Sequence, residues 1–175
     1  MENALNPPEV FAIVAAVKDA YKSLEDPDFA FVAKAVKLQS FNRLLDELGQ
    51  SFTLFETTDE NDDVAFTHLL SGGSQDLGLW LSMVGPYALI QRVGEDHVET
   101  LRAPFSVQEE MLIATLREHN VTLVSDDLLR HRIRMNLDEA VKGMVTLYQA
   151  LFDNSQALPW DQGDWTEEPD DSQPH

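Results

Sequence analysis

Leu77 to Val93, LGLWLSMVGPYALIQRV, is the stretch that most narrows the folds open to this chain. It is the longest apolar run and carries a single charge, Arg92, near its end. Gly85-Pro86 divides it into two runs of strand length, because Gly tolerates unusual dihedrals while Pro fixes φ and gives up a donor. Before the break, Leu79, Leu81 and Met83 share one face of an extended chain, and Trp80, Ser82 and Val84 share the other. Both faces are largely apolar, so this run reads as an interior strand rather than a one-sided edge strand. After the break, Tyr87, Leu89 and Gln91 alternate with Ala88, Ile90 and Arg92, which predicts a second strand with one wetter end.

The flanking segments change period. Asn6-Pro7-Pro8 predicts a helix start, with Asn6 as N-cap and Glu9 near the positive end of the dipole. Val10, Ile13, Val14, Val17, Tyr21 and Leu24 follow at helical spacing, and the helix should stop before Pro27. One further helix is expected within Phe31–Leu48, ended by Gly49 and either capped by Asp28 or preceded by an extended FAFVA. Ser51–Thr57 and the alternating set Val64, Phe66, His68 and Leu70 read as strands joined by the loop TDENDD. Ser71-Gly72-Gly73-Ser74 is a turn, and His97–Arg102 is another short strand.

Ser106-Val107-Gln108-Glu109 has the form of a capping box before a helix that runs to about Glu118 or His119. Val121–Val124 reads as a short strand, Ser125 as a cap for a brief helical turn, and Asp138–Phe152 as a final amphipathic helix. Consecutive strands with short connectors argue for a meander. The expected fold is α+β: a mainly antiparallel sheet of about five strands, with two helices before it and two after. Residues 1–152 read as a single globular domain. Residues 153–175 read as an acidic tail, partly docked through Leu158-Pro159-Trp160 and without fixed structure beyond Trp165.

Charge narrows the functional classes. The net charge is −19, which repels phosphate backbones and anionic lipid and attracts cations and basic proteins. Neither nucleic acid nor membrane is therefore expected as a partner. There are no cysteines, which excludes thiolate nucleophiles, disulfides and cysteine-ligated metals. The N-terminus MENALNPPEV lacks the basic and apolar regions of a signal peptide, so a soluble cytoplasmic protein is expected.

No motif names a reaction. Asp59, Glu60, Asp62 and Asp63 fail as a calcium loop, since Val64 and Leu70 occupy the sixth and twelfth positions. They remain as a solvated hairpin tip or a contact for a basic partner. The five histidines show no paired metal spacing, and no cofactor or metal is expected. His68 reads as a satisfied or partly buried histidine rather than a catalytic base, and Asp96-His97 as side chains on opposite sides of a strand. Arg130, Arg132 and Arg134 read as pairing internally with the acidic excess. Trp160 is either packed on the domain or an anchor for a partner.

The leading expectation is a non-enzymatic module that neutralises or holds a basic protein partner, in the class of bacterial immunity proteins and antitoxin-like inhibitors. Asp59, Glu60, Asp62, Asp63 and Trp160 are its candidate contacts. A secretion-chaperone-like client holder is the alternative. A further alternative is an enzyme whose site gathers His68, Glu56, His97 and Arg102, should their strands be adjacent.

Overall fold

The computed structural model describes residues 8–61, 63–137, 145–154 and 158–161. Three helices come first: α1 (Pro8–Tyr21), α2 (Ala30–Leu38) and α3 (Asn42–Leu48). They are followed by β1 (Thr53–Glu56), β2 (Ala65–Ser71), β3 (Asp76–Ser82), β4 (Tyr87–Val93) and β5 (Val98–Thr100). Then come α4 (Val107–Glu118), β6 (Thr122–Leu123), α5 (Asp126–Leu129), β7 (Arg132–Ile133), β8 (Val145–Thr146) and α6 (Leu147–Leu151). A 3-10 turn at Pro159–Asp161 ends the described chain.

The sheet order is β1-β2-β3-β4-β5, and every neighbouring pair on that path is antiparallel. β6 runs parallel to the start of β4, below the stretch that β5 occupies. The fold is α+β, as expected, and the two halves of the long apolar run are the interior strands β3 and β4. Their alternation feeds two cores. Leu77, Leu79, Leu81, Ala88 and Ile90 pack with Leu44 and Leu48 of α3 and Leu112 and Leu116 of α4. On the opposite face Leu89 and Trp80 pack with Ile13, Val17 and Tyr21 of α1 and with Leu147 and Leu151 of α6. A helical layer on each side explains why neither face of β3 is polar. No helix among the described residues is long and apolar enough to cross a membrane.

Several local expectations hold. Ser106 accepts from the Glu109 amide at 3.1 Å while the Glu109 carboxylate accepts from the Ser106 amide at 2.9 Å, closing the capping box. Ser125 caps α5. Gly72 stands at φ 110°, a conformation open to glycine and costly for other residues.

Other expectations are corrected. The single helix expected over Phe31–Leu48 is two, because Gln39 turns left-handed at φ 46° and closes α2 with its amide on the Ala35 carbonyl. Asp28 contributes just before α2, accepting from the Ala30 amide at 2.8 Å. α1 ends at Tyr21, short of Leu24, with Lys22 at φ 64°. The final helix is the short α6, since Val145–Thr146 pairs with Arg132–Ile133 as a two-stranded ribbon. Its start is set by a second capping box, Thr146 with Gln149, and all five of its residues are buried, so no amphipathic face exists there. Asn6 and residues 138–144 of these expectations lie outside the described residues.

Candidate functional site

β1 lies at one end of the sheet, with β2 as its neighbouring strand. Leu54 packs inward against the core between the sheet and α3. Phe55 points to the other face and is 52% exposed. Beyond Glu56 the hairpin is continued by threonines rather than by strand. The Thr57 amide donates to the Thr67 carbonyl at 2.8 Å, the two Thr hydroxyls bond each other at 2.8 Å, and Thr58 Oγ1 accepts from the Thr67 amide at 2.9 Å.

The acidic loop is held by its own carboxylates. Asp63 Oδ2 accepts from the Asp59 amide at 2.7 Å, and Asp59 Oδ1 accepts from the Asn61 amide at 3.0 Å. The Asp63 amide also donates to the Asp59 carbonyl at 2.8 Å. The loop is thus a fixed turn at the tip of the edge hairpin, and Asp59 and Glu60 face solvent. Asp62 lies outside the described residues.

Glu56 and His68 are direct cross-strand partners, which puts them on the face that carries Leu54 and Leu70. His68 is buried, and its Nδ1 has no hydrogen-bond partner among the described residues. Burial holds its pKa below the ordinary imidazole value, and the nearby Glu56 charge opposes that shift. A cavity of about 70 Å³ beside them is lined by Phe41, Leu45 and Phe66 among others. Of the expected satisfied or partly buried histidine, burial is what the structure shows, with Nδ1 left without a partner among the described residues.

His97 and Arg102 do not join this pair. His97 lies with Asp96 in the turn before β5, so the expected strand geometry for those two is absent; Arg102 follows β5, and both are exposed. β1 and β5 are separated by three strands, which at ~4.8 Å per spacing puts them roughly 19 Å apart. The four residues considered for a dispersed catalytic site thus fall into two separate pairs.

The charged centre that sequence reasoning missed is Arg92. Its guanidinium donates to Glu109 through Nε at 2.9 Å and Nη2 at 2.8 Å, and to Glu99 through Nη1 at 3.0 Å. Nη2 also reaches the Arg102 and Pro104 carbonyls at 3.0 and 2.9 Å. The hydrogen bonds that Arg92 donates hold the Glu109 carboxyl below its usual range, and the same bonds, accepted by Glu109, raise the guanidinium pKa further. Glu109 is more than a dipole-favoured first-turn acid: it is buried and ion-paired. The signal was present in the sequence, because a lone charge at the end of an interior apolar strand needs a carboxylate partner.

Trp160 is half-buried. Its ring meets Tyr148 edge-on at 5.9 Å, and the Arg130 guanidinium stacks over it at 4.6 Å. Arg130 also pairs with Asp126 at 2.9 Å, while Arg132 and Arg134 are exposed and carry no ion pair among the described residues. Trp160 and the acidic loop therefore belong to different parts of the surface: the loop tips the β1 edge, and Trp160 closes over α5 and α6. No protein-family model, curated protein or solved structure matches this chain.

Proposed function

We propose that this protein is an acidic, non-catalytic module that holds an extended segment of a basic protein partner along the β1 edge of its sheet, as an immunity protein or antitoxin-like inhibitor would. The observation that carries the reading is the β1 edge itself. An edge strand presents unpaired backbone N–H and C=O groups, and edges are commonly blunted with Lys or Pro. β1, Thr53–Glu56, has neither, and it leaves Phe55 half in solvent. Glu56, Asp59 and Glu60 lie at its far end.

An extended chain added there would pair its backbone with β1, set apolar side chains on Phe55, and bring cations to Glu56 and the loop Asp59, Glu60, Asp62 and Asp63. The net charge of −19 speeds encounter with a basic protein and makes the complex salt-sensitive. The same reading puts the site of action in the cytoplasm.

Affinity capture at about 0.1 M salt, eluted stepwise to about 1 M, tests it, since the Debye length falls from ~10 to ~3 Å over that range. One stoichiometric basic partner released by salt, and lost when Asp59, Glu60, Asp62 and Asp63 are all changed to Lys, is the expected result. Unchanged capture by that variant removes the loop from the reading.

A secretion-chaperone-like role is favoured by a different observation. Phe11, Leu38 and Val107, on three different helices, are 61, 62 and 85% exposed, and such side chains can each contact an apolar client. Several unrelated clients, released without regard to salt, would move the assignment to that role.

A further inference from the structure

β1 ends at Glu56, whose cross-strand partner is His68. Residues two apart on a strand share a face, so Glu56, His68 and Phe66 lie on the side of the sheet that α3 covers with Leu44 and Leu48. The cover is incomplete. Asn42 and Leu45 of α3 stand over a slot of about 70 Å³ floored by Glu56, Phe66 and His68. Gln39, at the left-handed break that ends α2, and Phe41, just before α3, complete its wall.

The chemistry of this slot is that of a cation acceptor. Phe41 and Phe66 meet edge-on, their rings 6.1 Å apart at 75°. The Asn42 side-chain amide donates to Gln39 Oε1 at 3.0 Å, which leaves the Asn42 side-chain oxygen as an acceptor. Glu56 is exposed and has no ion pair among the described residues. Lys37 and Arg43, the nearest cations in sequence to the helical wall, do not line the slot. His68 is only 6% exposed, and its Nδ1 has no partner among the described residues, so the ring lacks an N–H donor on that side. Burial keeps the imidazole neutral, which leaves the Glu56 charge uncompensated across the strand pair.

We propose that this slot seats the guanidinium of an arginine in the partner's segment, an inference that rests on the reading of β1 as the strand along which that segment lies. A guanidinium is planar, stacks on aromatic rings and pairs with a carboxylate through two parallel N–H donors. A lysine ammonium reaches Glu56 as a point charge but has no plane to lay against Phe41 and Phe66. Size agrees: 70 Å³ is room for roughly five waters at ~10–15 Å³ each, and a guanidinium has four heavy atoms. Reach agrees as well. A residue opposite Glu56 on an added strand stands about 4.8 Å from Glu56 and about 9.6 Å from His68. Its side chain points to the same face, and the three methylenes of an arginine carry the guanidinium over Glu56 into the slot. One arginine placed opposite Glu56 would thereby fix the register of the added strand.

N-ethylguanidinium, titrated into the full-length ¹⁵N-labelled protein at about 0.1 M salt, probes the slot without any strand pairing. Saturating amide shifts at Asn42, Leu45, Glu56 and Phe66 are expected. Binding should weaken about fivefold in Glu56→Gln, an exposed substitution that removes the charge alone. Phe41→Leu should erase the preference for N-ethylguanidinium over propylammonium. No saturating shift at these residues overturns the proposal, as does equal binding of propylammonium or of the neutral ethylurea. An extended peptide with one arginine then separates the slot from the edge. Its citrulline counterpart should bind at least about fivefold more weakly while still slowing amide exchange in β1. Equal affinity of the two peptides, with β1 protected by both, leaves the edge reading in place and overturns the slot. Probe binding with β1 protected by neither peptide keeps guanidinium as the slot's ligand and overturns its delivery along β1.

Discussion

The two edges of the sheet are finished in opposite ways. At the β5 edge, Arg92 ties β4 to Glu99 on β5 and to Glu109 on α4, and the 3-10 turn at Pro159–Asp161 lies against β5. At the β1 edge no ion pair closes the strand among the described residues, and Phe55 is left half exposed. One edge uses charge to hold the fold together. The other leaves its charge, in Glu56, Asp59 and Glu60, outside the fold. Among the described residues of the sheet, the cation that forms ion pairs, Arg92, stands at the β5 edge, and the β1 edge has none.

The contrast breaks most easily at Arg92. Arg92→Met leaves Glu109 buried without its partner, and a loss of about 3 kcal/mol in unfolding free energy is expected. Denaturant titration checks this. The pH dependence has a definite sign: because the Glu109 pKa is depressed in the fold, its contribution is present above the unfolded carboxyl value of ~4.3 and is lost as pH falls toward the folded one. Arg92→Met should flatten that acid limb.

Next in size is Tyr21→Phe, on the α1 side of the core. The Tyr21 hydroxyl donates to the Ala150 carbonyl at 2.7 Å in a buried setting. Its loss should cost about 1–2 kcal/mol by leaving that carbonyl unpaired, again read from denaturant unfolding.

His68 sharpens the comparison from the open side. Its pKa is lowered in the fold, so the unfolded chain takes up the proton first as pH falls below ~6.5, and native stability declines with it. His68→Leu should remove this slope, and the stability gap between the two proteins should shift in favour of the variant between neutral and mildly acid pH. A gap independent of pH would place His68 in a wetter setting than its burial implies. The smallest effect on stability is expected at the edge itself. Phe55→Lys should change unfolding free energy by less than about 0.5 kcal/mol while weakening capture of a basic partner.

The sheet was the most legible part of this chain. The alternation through Leu77–Val93 carried β3 and β4 because both faces are apolar, and short turns forced their antiparallel neighbours. The Ser106 capping box placed α4 because its two hydrogen bonds are local. What failed had both local and long-range causes. Gln39 breaks the second helix with no Gly or Pro to announce it. Thr146-x-x-Gln149 was a readable capping box, but the helical spacing of Val141, Met144, Val145 and Tyr148 masked it, and the pairing of β8 with β7 joins residues far apart in sequence. The acidic loop could be found by composition alone. Its position at the tip of an open edge could not, because that follows from which strand ends the sheet.

Amide hydrogen exchange at β1 tests the role of the open edge most directly. The measurement compares Thr53–Glu56 in the free protein and in the presence of an extended peptide that alternates Arg with Val, at about 0.1 M salt. Slowed exchange confined to this strand and its loop, lost at high salt and in Phe55→Lys, is the expected result. Slowed exchange elsewhere with β1 unchanged, or binding as tight to Phe55→Lys as to the parent, would contradict a partner held along that edge.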